Sequence, residues 1–378
     1  MNKRIFIVAF FAFLFLAGSV YAAIGITELR TEQLKNPLGI DVRQPRLGWR
    51  IESDEQNVMQ TAYHILVASS ADLLAQGKGD IWDSGKIESD ASQWIAYQGK
   101  PLKRNARYYW KVKVYTNRGE ADWSAPAFWS MGLLNEADWQ GQWIGLDRAA
   151  SGDSETQWSR LAARYLRKEF ALSREVKRAT VHIAGMGLYE LFINGQRIGD
   201  QVLAPAPTDY RKTILYNTYD VTPQLRKENA IGVTLGNGRF YTMRQNYKPY
   251  KIPTFGYPKL RLNLIVEYMD GSKETIATNT SWKLTTEGPI RSNNEYDGEE
   301  YDARKEMDGW NKIGYDDASW LPVQRVSVPT GTLRASMTPN MKVVDRITPV
   351  AIHKIGEKYI LDMGQNMAGW IRMKIKGA

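Results

Sequence analysis

The run Tyr108-Tyr109-Trp110-Lys111-Val112-Lys113-Val114-Tyr115 alternates with a period of two. Successive side chains of a strand point to opposite faces, so this period puts Tyr108, Trp110, Val112 and Val114 on one apolar face. A helix would scatter the same residues around its axis. Ala62–Ala68 and Leu47–Ile51 read as further strands, with Pro37, Pro45, Gly77, Gly79, Gly85 and Pro101 supplying turns. Short strands with tryptophan at inward positions predict a fibronectin III- or immunoglobulin-like sandwich over residues 23–135. Trp49 and Trp110 are expected as core aromatics, and His64 as a satisfied structural residue.

Residues 136–326 repeat the class with different details. Ala179–Ala184 and Tyr189–Ile193 are expected strands. The second runs into Asn194-Gly195, the favoured pair for a two-residue turn, and returns as Gln196-Arg197-Ile198. Leu260–Tyr268 is expected to turn at Met269-Asp270-Gly271-Ser272 and return as Glu274–Thr278. No run here keeps a helical period beyond two turns. A jelly-roll, galactose-binding-like sandwich fits these signals, which makes the chain all-β. Residues 327–378 read as strand, turn and strand from Tyr359 to Lys376. Two strands alone are marginal, so this segment is expected to be the beginning of a further, truncated β domain.

Lys3 and Arg4, the apolar run Ile5–Leu16 and the small residues around Val20 and Ala22 form an export signal, residues 1–22, cleaved after Ala22. The expected location is periplasmic or secreted, with no stable membrane insertion after cleavage. The chain has no cysteine, which excludes disulfides, thiolate metal sites, cysteine nucleophiles and a lipid attachment site. A formal charge of +9 invites a nucleic-acid partner. Its distribution argues against one: residues 23–135 carry 14 basic and 13 acidic side chains, and residues 136–326 carry 26 and 25. The excess sits in residues 327–378, with 8 against 3, so neither large segment has a basic nucleic-acid footprint.

Nucleophile-elbow, P-loop and dinucleotide fingerprints are absent: Gly185-Met186-Gly187 lacks a third glycine, and Gly236-Asn237-Gly238 leads into Arg239-Phe240-Tyr241. The densest acidic motif runs from Tyr296 to Arg304 and contains Asp297, Glu299 and Asp302. A glycosidase carboxylate pair, a calcium loop and an arginine-paired structural loop all remain open for it. The EF-hand template fails, because Arg304 stands where the final glutamate is needed. A second candidate surface runs from Asp200 through Asn237, Arg239 and Tyr241 to Arg244, Tyr247, Tyr250 and Tyr257. Aromatic faces cover the C–H patches of sugars while amides, carboxylates and guanidinium groups bond their hydroxyls. A tyrosine-rich structural loop is the competing reading.

The order of several phrases resembles the N-terminal half of bacterial α-L-rhamnosidases, glycoside hydrolase family 78. They are Asn36-Pro37-Leu38-Gly39-Ile40, Pro45-Arg46-Leu47-Gly48-Trp49, Trp82-Asp83-Ser84-Gly85-Lys86, Arg107-Tyr108-Tyr109-Trp110-Lys111-Val112, Trp123-Ser124 and Ala137-Asp138-Trp139. Gly187-Leu188-Tyr189-Glu190 with Asn194-Gly195, Tyr219-Asp220-Val221-Thr222, the Asp297–Arg304 motif and Asp362–Gly369 continue the set. The resemblance implies a fibronectin-like domain, a carbohydrate-binding-like sandwich, a concanavalin-like domain and then an (α/α)6 barrel holding the acid and base of an inverting mechanism. No residue here matches those two catalytic glutamates, so the expectation is a non-catalytic N-terminal region whose C-terminal catalytic domain is missing. The implied partners are rhamnose-containing glycans. No organic cofactor is expected, and calcium is implied only through a related rhamnose-binding sandwich, with Asp200 and Asn237 in the corresponding loops. A stand-alone carbohydrate-binding or scaffolding module is the alternative.

Overall fold

Strand Arg107–Thr116 lies at the centre of the first unit, and its side chains alternate between half-buried and buried along its length. The computed structural model describes residues 24–153, 161–241, 255–295 and 298–374. The export signal therefore lies outside the described residues, as do Asp297, Arg244, Tyr247 and Tyr250. The chain divides into two units, one up to Trp139 and one from Gln140. The four residues on the expected inner face of Arg107–Thr116, from Tyr108 to Val114, are all buried. This strand pairs antiparallel with Gln60–Ala68 on one side and Ala127–Ser130 on the other, in a five-stranded sheet. The facing sheet contains Gly25–Thr31, Arg46–Glu52 and Ile95–Ala96. Trp49 of that sheet meets Tyr63 of the other edge-on at 5.3 Å, so the two sheets close on one aromatic core. Trp49 and Trp110 are fully buried, as expected of core aromatics. His64 is tied to the Asp83 carboxylate at 2.6 Å and stands beside the Trp123 ring.

The second unit is also a sandwich. One sheet runs in the order Gln196–Arg197, Leu188–Ile193, Glu228–Gly236, Arg164–Ala171, Lys283–Thr285, Leu321–Pro322. The other runs Gln324–Arg325, Ile144–Gly145, Lys259–Tyr268, Val176–Met186, Thr213–Asp220, Thr332–Ala335, with Lys273–Ala277 also pairing Lys259–Tyr268. Leu166, Leu191, Val233 and Leu235 from the first sheet share one core with Val181, Ile183, Leu262 and Leu264 from the second. Both expected hairpins form. Asn194 and Gly195 take φ of 52° and 81°, and Gly271 takes 83° at the tip of the other.

The sheet does not end at residue 326. Thr332–Ala335 adds to Thr213–Asp220 as a parallel strand, which a connection over a hundred residues long permits and a tight turn would not. Beyond it the expected strand–turn–strand from Tyr359 to Lys376 is replaced by an earlier hairpin. Ala351–Ile355 pairs with Lys358–Asp362, because Gly356 at φ 62° offers a tighter turn than the run after Asp362. Trp370 to Lys374 form no strand. No helix among the described residues is long and apolar enough to cross a membrane.

Candidate functional site

The two glycine pairs that fail as nucleotide fingerprints meet at one end of the second sandwich. Gly187 is the single residue between strand Val176–Met186 of one sheet and strand Leu188–Ile193 of the other. Its φ is +119°, and a Cβ there would overlap the Gly236 carbonyl oxygen. Gly238, at φ +49°, would place a Cβ 2.9 Å from Leu188 Cγ. These close approaches press the Gly236-Asn237-Gly238 turn against the crossover.

Asn237 is thereby buried, 2% exposed. Its Nδ2 donates to the carbonyls of Leu161 (3.1 Å) and Asn293 (2.7 Å), and its backbone N–H donates to Asn293 Oδ1 at 2.6 Å. Two carbonyl acceptors fix which end of the amide is nitrogen, and Asn237 Oδ1 is buried with no partner among the described residues. Asn293 stands opposite Glu299 across the hairpin Ile290–Asn294 and Gly298–Tyr301. Burial pushes the Glu299 carboxyl above its ordinary range, and the charge of Glu190 adds to the effect.

Arg239 forms a forked ion pair with Glu295, Nε–Oε2 2.9 Å and Nη2–Oε1 3.0 Å. Beneath it Phe240, Tyr210 and Phe255 form a ring cluster with centroid distances of 5.1–5.9 Å. Burial pushes the Tyr210 hydroxyl up to about 12. Tyr241 is buried and stacks on Tyr257 at 6.0 Å. The Arg164 guanidinium lies 5.8 Å from the Tyr257 ring and is itself paired with Asp153, Nη1–Oδ1 2.9 Å and Nη2–Oδ2 2.7 Å, both side chains fully buried.

The fold thus gathers Asn237, Arg239 and Tyr241 on the turn 236–241 and Glu299 on the strand Gly298–Tyr301. Asp302 and Arg304 pair with each other, Nε–Oδ1 and Nη2–Oδ2 both 2.8 Å, while Asp302 also caps the short 3-10 turn Ala303–Lys305. The Arg304 guanidinium holds the Asp302 carboxyl down to about 2. Asp200 is exposed on a separate segment, 3.4 Å from Lys342. Asn293, Glu295 and Tyr210 join the site from distant sequence, and no local pattern announces them.

Calcium takes six to eight oxygen ligands. Among the described residues no three acidic or histidine side chains come together to hold a metal ion. Glu295 and Asp302 are each engaged by a guanidinium.

Family profiles agree with this architecture. The "Rha78A-like, N-terminal immunoglobulin domain" matches residues 26–135, and the "Alpha-L-rhamnosidase N-terminal domain" matches residues 174–345. The two sandwiches are therefore of the class found at the front of glycoside hydrolases. An α-L-rhamnosidase of Formosa agariphila is 38% identical over 361 residues, covering 90% of this chain and 38% of its own length. Among solved structures, the α-L-rhamnosidase from Dictyoglumus thermophilum aligns with a TM-score of 0.80 and 39% identity over 90% of this chain and 38% of that one. The Streptomyces avermitilis α-L-rhamnosidase, solved with L-rhamnose, aligns with a TM-score of 0.81 and 25% identity over 91% of this chain and 49% of that one. The chain carries the two N-terminal domains of the α-L-rhamnosidases of glycoside hydrolase family 78. It spans 38% of the length of the first curated relatives it matches.

Proposed function

We propose that residues 23–374 are a non-catalytic N-terminal region of an exported α-L-rhamnosidase, and that the loop end around Asn237 helps hold rhamnose-containing glycans. The match running through both sandwiches carries the first part. Inverting glycosidases need two free carboxyl groups roughly 6.5–9.5 Å apart. The carboxylates Glu295 and Asp302 are instead engaged by Arg239 and Arg304, which supports a binding or packing role here. The Arg239 guanidinium, half exposed beside Glu295, and the exposed Glu299 next to it support the second part. Sugar hydroxyls both donate and accept, so an exposed guanidinium and carboxylate can each bond one.

The 378-residue chain is expected to release no p-nitrophenol from p-nitrophenyl α-L-rhamnopyranoside. Release above a heat-killed control overturns the non-catalytic reading. Calorimetry with L-rhamnose is expected to show saturable binding, unchanged by EDTA and weakened about tenfold in Arg239→Ala. Flat heats for the unaltered protein remove the binding role and leave one of domain packing.

A further inference from the structure

Arg167 of strand Arg164–Ala171 stands directly opposite Lys283 of strand Lys283–Thr285 in one sheet of the second sandwich. Like charges at facing positions repel, and the loop before Trp320 relieves them. The Asp317 carboxylate takes Arg167 with one oxygen and Lys283 with the other, the latter at 2.5 Å. Glu169 Oε1 accepts from Arg167 Nη2 at 2.5 Å and from the Gly314 N–H at 2.9 Å. All of these residues line a cleft of about 480 Å³, and Lys168, Ser281 and Tyr315 line it with them. The volume falls within the roughly 300–1,000 Å³ of small-ligand pockets.

Lys168 is the charge left over. The lining holds three cations, Arg167, Lys168 and Lys283, against two carboxylates, Glu169 and Asp317. Both carboxylates are already engaged twice. Among the described residues Lys168 Nζ has one polar partner, the Ser281 Oγ that accepts from it at 2.8 Å. That hydroxyl in turn donates to Asn279 Oδ1 at 2.6 Å. A neutral hydroxyl does not balance an ammonium, and charges taken out of water are ordinarily paired. Lys168 is half-buried, and burial pushes its amine below the ordinary range with no carboxylate acting the other way. An ammonium carries three N–H donors, so two remain beyond the one given to Ser281.

We propose that this cleft is an anion site of the second sandwich, in which Lys168 pairs with a small oxyanion, either a free ion or the acidic group of a sugar. The chemistry common to both is negative charge spread over two or more oxygens, which accept from the remaining donors of Lys168. A neutral sugar offers no such charge. The site uses no residue of the Asn237 loop end, so it stands apart from the rhamnose reading above.

The test is a titration of the 378-residue chain at low ionic strength with sodium sulfate, D-glucuronate and neutral D-glucose. Calorimetry and the ε-methylene resonance of Lys168 are the readouts. Saturable binding of both anions that shifts this resonance is expected, with glucose at least tenfold weaker. Tighter sulfate than glucuronate assigns the cleft to a free ion, and the reverse assigns it to the acidic group of a sugar. Lys168→Met keeps the aliphatic stem and removes an unbalanced half-buried charge, so its urea midpoint should not fall. It should lose at least tenfold for both anions, while Lys168→Arg, which keeps the charge, should retain binding. Lys177→Gln, exposed on a strand of the other sheet, should change nothing. Arg239→Ala should weaken L-rhamnose binding and leave the anions unaffected, which separates this site from the one proposed above. No saturation with either anion, an unmoved Lys168 resonance, or unaltered affinity in Lys168→Met overturns the proposal.

Discussion

Gly187 carries the chain from one sheet to the other in a single step, and no other residue type fits there. The φ of +119° and the overlap of any Cβ with the Gly236 carbonyl act together. Gly187→Ala is therefore expected to lower unfolding free energy by about 3 kcal/mol in urea titrations. Gly271 makes the contrast: its φ is +83° but nothing lies within 4 Å of an added methyl, so Gly271→Ala should cost only about 1 kcal/mol. His182 makes a pH prediction of known sign. It is fully buried, its Nδ1 is 2.9 Å from Thr218 Oγ1, and burial first, then the charge of Arg178, pushes it down to about 3. The unfolded chain takes up a proton near 6.5, the native one only near 3, so between these values the unfolded state holds more protons. Stability is complete above pH 6.5 and falls as the pH drops, by roughly 1 kcal/mol per unit from this group. His182→Gln should flatten that part of the acid limb in stability measured from pH 7 to 4.

The hairpins were readable because their turns are local chemistry. Asn194-Gly195 and Asp270-Gly271 announce themselves within four residues, and both form where expected. The inner face of Arg107–Thr116 was readable for the same reason, since a period of two needs no partner to be recognised. What lay hidden is what depends on distant segments. The parallel strand Thr332–Ala335 has no turn signal to tie it to Thr213–Asp220, and Arg239 gives no hint of Glu295. Arg167 is the clearest case. It sits inside strand Arg164–Ala171, fully buried, and gathers the loop before Trp320 by donating to the carbonyls of Trp310 (2.8 Å) and Lys312 (2.9 Å), to Glu169 (2.5 Å) and to Asp317. With Arg167→Ala the loop loses its anchor and Asp317 keeps only Lys283. Breaking a buried pair by removing one partner costs about 3–5 kcal/mol, so urea unfolding should shift by that amount. Limited proteolysis should then cut between Met307 and Trp320, in a segment the unaltered protein protects.

The two sandwiches bury their apolar residues, but the segment after them does not. Val344 is 91% exposed, Ile371 75% and Trp370 65%, and both strands of the hairpin Ala351–Asp362 are exposed on nearly every residue. Monomeric proteins rarely leave so much contiguous apolar surface in water. Residues 327–378 hold 8 basic and 3 acidic side chains, more than half of the +9, and of these only Arg334 stands on a sandwich strand. The stabilising contacts stop earlier: Thr332–Ala335 is paired, Asn340 Nδ2 donates to Gln201 Oε1 at 2.7 Å, and Val202 N donates to the Met341 carbonyl at 2.9 Å. Global unfolding should therefore be governed by the sandwiches, while the hairpin opens at almost no cost, as expected of strands with few buried contacts. Shortening the chain to end at Asp345 should leave the urea midpoint unchanged, lower the fluorescence of bound anilinonaphthalene sulfonate and reduce self-association in sedimentation velocity. Amide exchange should show the reason, with Ile352 and Ile360 exchanging quickly while Val181 and Leu264 are protected to the level of global unfolding. A drop in midpoint on shortening would mean that the hairpin contributes to the second sandwich, and slow exchange at Ile360 would mean that its apolar face is already covered in solution.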